Sequence, residues 1–267
     1  MNKKTILFWI IAIVITLSSA IFQRMTGPTK PYRGQTELGG SEISYRLIRT
    51  FDRSEDAPVS IKAKNREVSG FYIYKRYPSH DEWEQAPLER EGDSLIARIP
   101  QQPAAGKVMY QVFLKKGDDQ VMLSEEPIVI RFRDSVPGWA LLPHIILMFA
   151  AMLFSTRAGL AAIFREKTFG LTIWTFITFL LGGLIFGPIV QKYAFGDCWT
   201  GWPLGTDLTD NKTAFAFIFW LIAFIKVFKN PRHRSWVLAA SIVLILIYLI
   251  PHSLLGSEID WTQKGVE

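Results

Sequence analysis

The chain has 267 residues, of which 49% are hydrophobic, and a formal net charge of +6 at pH 7. Its single cysteine, Cys198, excludes an internal disulfide, a zinc site built from cysteines alone and a covalent c-type haem motif. Most of the excess positive charge lies in short segments beside apolar runs, as the positive-inside rule expects of membrane spans. We therefore expect no nucleic-acid partner.

The N-terminus begins with a basic segment, which the apolar run Thr5–Phe22 follows. Two interpretations remain open, a cleaved signal peptide and an uncleaved signal anchor. The small residues Ser18, Ser19 and Ala20 are compatible with cleavage, whereas the length of the run favours an anchor. We predict a signal anchor and first transmembrane helix over residues 1–24, and an extended Pro- and Gly-containing linker over residues 25–40.

Residues 41–134 alternate between apolar and polar side chains, with turn formers between the alternating runs. In Lys107–Lys115, for example, every second residue from Val108 to Leu114 is apolar, as a half-buried strand requires. The predicted strands are Glu42–Arg49, Val59–Lys64, Gly70–Tyr77, Ser94–Ile99, Lys107–Lys115, Gln120–Leu123 and Ile128–Arg133. The segment resembles a fibronectin type III or immunoglobulin-like sandwich. That resemblance implies spacing or partner binding, and not chemistry.

Residues 138–253 contain four apolar runs that predict a four-helix transmembrane domain. The expected spans are residues 139–164, 169–190, 214–228 and 236–251. The connectors Arg165–Thr168 and Lys229–Ser235 are short and basic, which predicts that both are cytoplasmic. Residues 25–137, the loop 191–213 and the end of the chain from residue 252, including the tail 254–267, are then expected outside the cytoplasm.

Two histidines are expected at the same membrane face as the loop 191–213. His144 lies near the start of the second span and His252 at the end of the last, and each follows a proline. Ionisable residues in membrane segments are candidates for a function because their burial is costly. The two imidazoles could ligate a b-type haem or help to hold a metal, or they could be interfacial histidines hydrogen-bonded to the loop or to water.

The loop 191–213 supplies the other candidate site residues. Asp207, Asp210 and two neighbouring polar residues precede an apolar helix, and Thr209 or Asp210 is the expected N-cap of that helix. The order Asp-x-Thr-Asp-Asn at residues 207–211 resembles a calcium loop, but the glycine and terminal glutamate of an EF-hand are missing. Asp197, Trp199 and Trp202 complete the candidates, and the tryptophans suit either an interfacial aromatic belt or a compact lid.

Together these patterns predict an α+β membrane protein: a signal anchor, an all-β sandwich, and a four-helix transmembrane bundle. We expect an integral protein of a bacterial inner membrane that displays the sandwich outside the cytoplasm as a non-enzymatic scaffold or accessory subunit. Membrane lipid and an extracytoplasmic protein bound through residues 41–134 are the expected partners. The alternative is a membrane redox subunit that binds b-type haem or quinol at a site formed by His144, His252 and the loop.

Overall fold

The computed structural model describes residues 3–52, 55–252 and 255–263. The chain divides into two compact units. The helical unit comprises Met1–Pro28 and Val136–Ser257, and the β unit comprises Thr29–Ser135 and Glu258–Glu267. Four predicted regions include residues outside this description. They are residues 1–2 of the anchor, 53–54 of the sandwich, 253 of the helical domain, and 254 and 264–267 of the tail.

The β unit is built from short strands with mostly antiparallel pairing. In chain order the described strands are β1 Tyr32–Leu38, β2 Ser41–Leu47, β3 Thr50–Phe51, β4 Ala57–Lys62, β5 Ser69–Tyr77, β6 Glu84–Pro87, β7 Glu89–Glu91, β8 Ser94–Ile99, β9 Lys107–Lys116, β10 Asp119–Met122 and β11 Ile128–Phe132. One sheet has the order β1-β2-β4-β8-β7, and the other has the order β3-β11-β9-β5-β6, with β10 also paired to β9. The chain crosses from the first sheet to the second between β2 and β3.

A single apolar core lies between the two sheets. Alternate residues of β4, such as Val59 and Ile61, are buried with alternate residues of β9, such as Tyr110 and Val112. Because neighbouring side chains of a strand point to opposite faces, this alternation is what a sandwich with one buried and one open face per sheet requires. Each predicted strand has a counterpart within about two residues of its predicted ends, as expected of pattern-based boundaries.

The β unit is larger than the predicted 41–134. Strand β1 occupies much of the predicted linker 25–40, and it pairs with β2 along its whole length. Part of the tail predicted over 254–267 also belongs to the β unit. The Trp261 amide donates to the Pro78 carbonyl at 3.1 Å, and Lys107 forms an ion pair with Glu258. Residues 258–263 therefore pack on the same unit as the sandwich.

The helical unit contains the apolar segments. Its described helices are α1 Lys3–Thr26, α2 Gly138–Ile163, α3 Phe169–Phe179, α4 Gly187–Phe195, α5 Leu208–Lys229 and α6 Arg234–Leu249, and a π-helical segment, Leu180–Phe186, joins α3 to α4. Among the described helices, α1, α2, the continuous Phe169–Phe195 helix and α5 are long and apolar enough to span a membrane. This composition is typical of an integral membrane protein.

The helix ends depart from the expected spans. The helix that contains the span 169–190 continues to Phe195, and α5 begins six residues before the expected residue 214. The last helix, α6, has 16 residues, which falls below the usual length of a span. The helices pack closely through small residues: a Cβ added at Gly159 of α2 would lie 2.9 Å from Cβ of Ser241 on α6.

Candidate functional site

The site lies at the end of the helical unit where α1, α4 and α6 end and α2 and α5 begin. We call it the loop end. It contains His144 in the second turn of α2, His252 just beyond α6, and the connection between α4 and α5. The connection proper is residues 196–207, because Gly196 ends α4 in the left-handed conformation (φ 94°) and Asp207 precedes α5. It is therefore shorter than the predicted loop 191–213.

Asp207 ties together three segments of the loop end. Its Oδ1 accepts the amides of Thr209 at 2.7 Å and Asp210 at 3.4 Å, as an N-cap does. Its Oδ2 accepts both the amide (2.7 Å) and the hydroxyl (2.8 Å) of Ser257 in the tail. Partial burial by itself would raise the pKa of Asp207, but the hydrogen bonds from Ser257, Thr209 and Asp210 outweigh it and hold the pKa below its ordinary value. The carboxylate is thus fixed in its ionised form at neutral pH.

Asp210 fixes the connection against the first turn of α5. One oxygen, Oδ2, accepts the amides of Thr200 at 2.7 Å and Gly201 at 3.0 Å. The same oxygen accepts Nε2 of Gln191 at 3.0 Å. Asn211 continues the pattern, since its Oδ1 accepts the amide of Trp202 at 2.6 Å. Residues 200–202 are therefore held alongside α5 rather than extended away from it.

A lysine caps the end of α6. Lys212, which is 7% exposed, donates from Nζ to the carbonyls of Ile250 at 2.7 Å and Pro251 at 3.3 Å. Gln23 at the end of α1 donates from Nε2 to the carbonyls of Tyr248 at 2.8 Å and Ile250 at 3.2 Å. These bonds satisfy carbonyls that the end of a helix leaves without an intrahelical donor.

His144 is bonded to the π-helical segment. Its Nδ1 lies 2.9 Å from the carbonyl oxygen of Gly182, which also accepts the amide of Gly187 in a wide π-type turn. Because a carbonyl oxygen only accepts, Nδ1 must carry the proton, and Nε2 then keeps its lone pair. A histidine oriented by a backbone carbonyl through one nitrogen can ligate or accept through the other.

His252 lies close enough to the other site residues to interact with them electrostatically. The His252 side chain is exposed, yet the pKa of its imidazole is lowered. The largest cause is desolvation by neighbouring protein atoms, and electrostatic repulsion from Lys212 and His144 adds to it. The imidazole is therefore neutral at pH 7. The structure places His144, His252 and the carboxylates Asp207 and Asp210 at one end of the helical unit.

The remaining predicted site residues lie on the outside of the connection. Asp197 is exposed, as is Cys198 beside it. Trp199 donates from Nε1 to the carbonyl of Trp202 at 3.1 Å, which closes a turn. Sequence reasoning missed Gln191, Thr200, Lys212 and Ser257. It also predicted Thr209 or Asp210 as the N-cap of α5, which is wrong because the helix begins at Leu208 and Asp207 caps it. For Lys212 a signal existed, since a charged residue at the start of an apolar helix is itself a candidate site residue. For Ser257 the sequence carries no such signal, because its contact with Asp207 joins residues 50 positions apart.

Comparison with known protein families, with curated proteins and with solved structures finds no match to this chain.

Proposed function

We propose that this chain is a non-enzymatic scaffold or accessory subunit of the cell envelope, anchored in a bacterial inner membrane and displaying its β-sandwich to an extracytoplasmic protein. One observation carries the proposal: the buried carboxylates Asp207 and Asp210 accept amides of the connection and of α5, and Asp207 also accepts the amide and hydroxyl of Ser257 in the tail. Groups committed to these bonds hold the loop in place, and general acid–base work would break the bonds that fix it.

The charge distribution supports the orientation. The basic connectors around Arg165 and Arg232 join α2 to α3 and α5 to α6, at the end of the helices opposite the loop end. Lys4, at the start of α1, belongs to the same end, since its Nζ lies 5.2 Å from the ring of Phe164. Cytoplasmic connectors carry excess Lys and Arg. The chain enters and leaves the β unit at the end of α1 and the start of α2, so this orientation carries the sandwich outside the cytoplasm.

Contacts along α1 support an uncleaved anchor over a cleaved signal peptide. The guanidinium of Arg157 on α2 lies 5.4 Å from the ring of Phe8 and 5.8 Å from the ring of Trp9, within the range of cation–π attraction. Arg157 also donates to Glu166 at 2.7 Å. At the other end of α1, Gln23 bonds α6, beyond the small residues at which cleavage was considered. These contacts give α1 a structural role in the mature helical unit.

The strand arrangement supports the immunoglobulin or fibronectin III likeness. With β2, β4, β8 and β7 in one sheet and β11, β9, β5 in the other, the order corresponds to the A-B-E-D and G-F-C sheets of a constant-type immunoglobulin sandwich, with β6 added at an edge. Such modules commonly bind partners through a sheet face. On the outer face of β5 and β9, the rings of Phe71 and Phe113 stack 4.9 Å apart.

A photo-crosslinking experiment tests the proposal in intact membranes. Benzoylphenylalanine replaces Phe113 on the open face of the second sheet, and in a matched control it replaces Lys62, which is exposed on the open face of the first sheet. We expect benzoylphenylalanine at position 113 to form one discrete adduct with a protein on the extracytoplasmic side. Position 62 should give a weaker or different pattern of adducts. Equal, diffuse labelling at both positions would contradict a specific partner on this face.

The redox alternative is favoured by one observation, the lone pair left on Nε2 of His144 near His252. A b-type haem or a quinol would be held there by imidazole, and the haem would supply electron transfer when bound. Protein purified after expression with added haem precursor would then show a Soret band, which His144→Ala and His252→Ala would each remove. A featureless visible spectrum together with a position-113 adduct supports the scaffold.

A further inference from the structure

Three of the most exposed apolar side chains of the described chain lie at the loop end. They are Trp202 (79% exposed), Leu204 (78%) and Leu255 (73%). Single exposed apolar residues are ordinary in proteins, but three of them at the same end of the helical unit indicate a contact surface. Trp202 and Leu204 flank Pro203 in a turn closed by the Gly201 carbonyl, which accepts the amides of Leu204 and Gly205, each at 2.9 Å.

The backbone bonds of this turn fix its position along α5. The Trp202 amide donates to the side chain of Asn211 in the first turn of α5, so the turn lies beside the start of the helix. Leu255 lies at the same end of α5, because its carbonyl accepts the amide of Leu208 at 3.2 Å. At a rise of about 1.5 Å per residue, this level is within roughly 5 Å of the start of the helix.

The bond to the Asn211 side chain also fixes which side of α5 the turn occupies. Asn211 belongs to the series 211, 215, 218 and 225, whose steps of four, three and seven residues keep one helix face. On that face Phe215 is 53% exposed, Ile218 is 52% exposed and Ile225 is 42% exposed. For a helix long and apolar enough to span a membrane, exposed apolar side chains in one row are the surface that meets lipid.

We propose that the turn Trp202–Leu204, with Leu255 beside it, is an interfacial anchor that inserts into the headgroup region of the bilayer around α5. The row of Phe215, Ile218 and Ile225 lies in the acyl region, and the turn continues the same surface at the boundary with water. An indole suits that boundary because its ring is apolar and its N–H is polar. The carboxylates of Asp207 and Asp210 thereby hold the loop at a defined depth.

Site-directed fluorescence tests the anchor in the full chain. Cys198→Ser removes the chain's single cysteine, and Leu204→Cys then carries an environment-sensitive dye in phosphatidylcholine nanodiscs. Leu204 is so exposed that its replacement removes little packing. The lipid reference is Phe215→Cys, and the aqueous reference is Asp118→Cys in the exposed turn between β9 and β10. Quenchers are a nitroxide attached near the lipid headgroup, a nitroxide deep in the acyl chain, and aqueous iodide.

We expect the headgroup nitroxide to remove most of the emission at position 204, the deep nitroxide to remove more at position 215 than at 204, and iodide to quench position 118 most strongly. The emission maximum at 204 should lie between those of the two references. Iodide quenching at 204 equal to that at 118, with no loss to either nitroxide, would overturn the proposal and leave the turn as a surface for a protein partner. The nanodiscs contain only lipid, the scaffold protein that encloses it and this chain, so a cellular partner cannot mimic the lipid result.

Discussion

The β unit and the helical unit bury different kinds of side chain. The sandwich core is filled with large apolar residues such as Tyr110, Ile130 and Phe132. In the described helical unit, half of the buried core residues are alanine, and buried serines and threonines accompany them. Hydroxyls such as those of Thr156 and Thr175 donate to the carbonyl four residues earlier in their own helix. The hydrophobic effect in water stabilises the sandwich core. Between helices in lipid that driving force is absent, because lipid tails are as apolar as the side chains, so close backbone approach stabilises the helical core instead.

Removing a large core side chain should therefore have its greatest effect in the sandwich. Ile130 is fully buried, and Ile130→Ala should lower the free energy of unfolding of the β unit by about 2–5 kcal/mol, through lost burial and the cavity left behind. Denaturant unfolding followed by near-ultraviolet circular dichroism measures it. The matched control is Val129→Ala, the next residue on the open face, which should cost much less. Equal losses would mean that the open face is covered.

The same comparison shows what the sequence could predict. Strand β8 has the predicted bounds and β9 differs by one residue, because strict alternation on a half-buried sheet leaves a clear pattern. Strand β1 was taken for a linker since its residues are mostly exposed and lack that alternation. A local signal existed, because the Gly39–Gly40 pair, with φ of 54° and 74°, suits a tight hairpin turn.

The candidate site was harder to derive than the strands. N-capping of α5 is local and the sequence predicts it, but at Thr209 or Asp210, whereas the N-cap is Asp207 because the helix begins at Leu208. The bonds from Gln191, Lys212 and Ser257 join residues that are 19 to 50 positions apart. Such contacts depend on how helices pack, and hydrophobic periodicity carries no information about them.

The capping lysine is expected to be the most costly polar contact in the helical unit. Lys212→Met keeps the length of the side chain but leaves the carbonyls of Ile250 and Pro251 without their charged donor. We expect a loss of about 1.5–3 kcal/mol in the stability of the helical unit, the range for hydrogen bonds to charged groups. Lys192→Met, at an exposed residue near the end of α4, is the control and should change stability little. Thermal unfolding in detergent or nanodiscs compares the two.

Close helix packing can be tested at a glycine. Gly159→Ala places a methyl group 2.9 Å from Cβ of Ser241, which also donates to the Ser155 carbonyl at 2.8 Å. We expect α2 and α6 to separate slightly, at a cost of about 1–3 kcal/mol. Gly170→Ala is matched, since a Cβ at Gly170 meets nothing within 4 Å. It should leave stability unchanged or raise it by up to about 1 kcal/mol. A neutral Gly159→Ala would argue against tight α2–α6 contact.

Each unit also has an aspartate whose ionised form is stabilised. Lowering the pH should therefore reduce the stability of each unit, by less than the substitutions above. Asp207 is held below its ordinary pKa of 3.8 by the bonds described above, and Asp81 by its paired hydrogen bonds from Arg76 at 2.7 and 3.0 Å. A carboxyl whose folded pKa is lowered contributes its stability above its unfolded pKa and loses it as the pH falls through the folded value. Asp207→Asn keeps an N-cap but removes the charge, so it should cost about 1 kcal/mol at pH 7, the difference between hydrogen bonds to a charged and to a neutral group, and flatten the acid side of the stability profile of the helical unit. Asp81→Asn should flatten only the stability profile of the β unit, and to a smaller extent, because the Arg76–Asp81 pair is partly exposed.

Unfolding measured from pH 7 to pH 3, with helical and β-type circular dichroism followed separately, distinguishes the two variants. If Asp207→Asn left the acid dependence of the helical unit unchanged, the bonds from Ser257 would not be those that stabilise the charge.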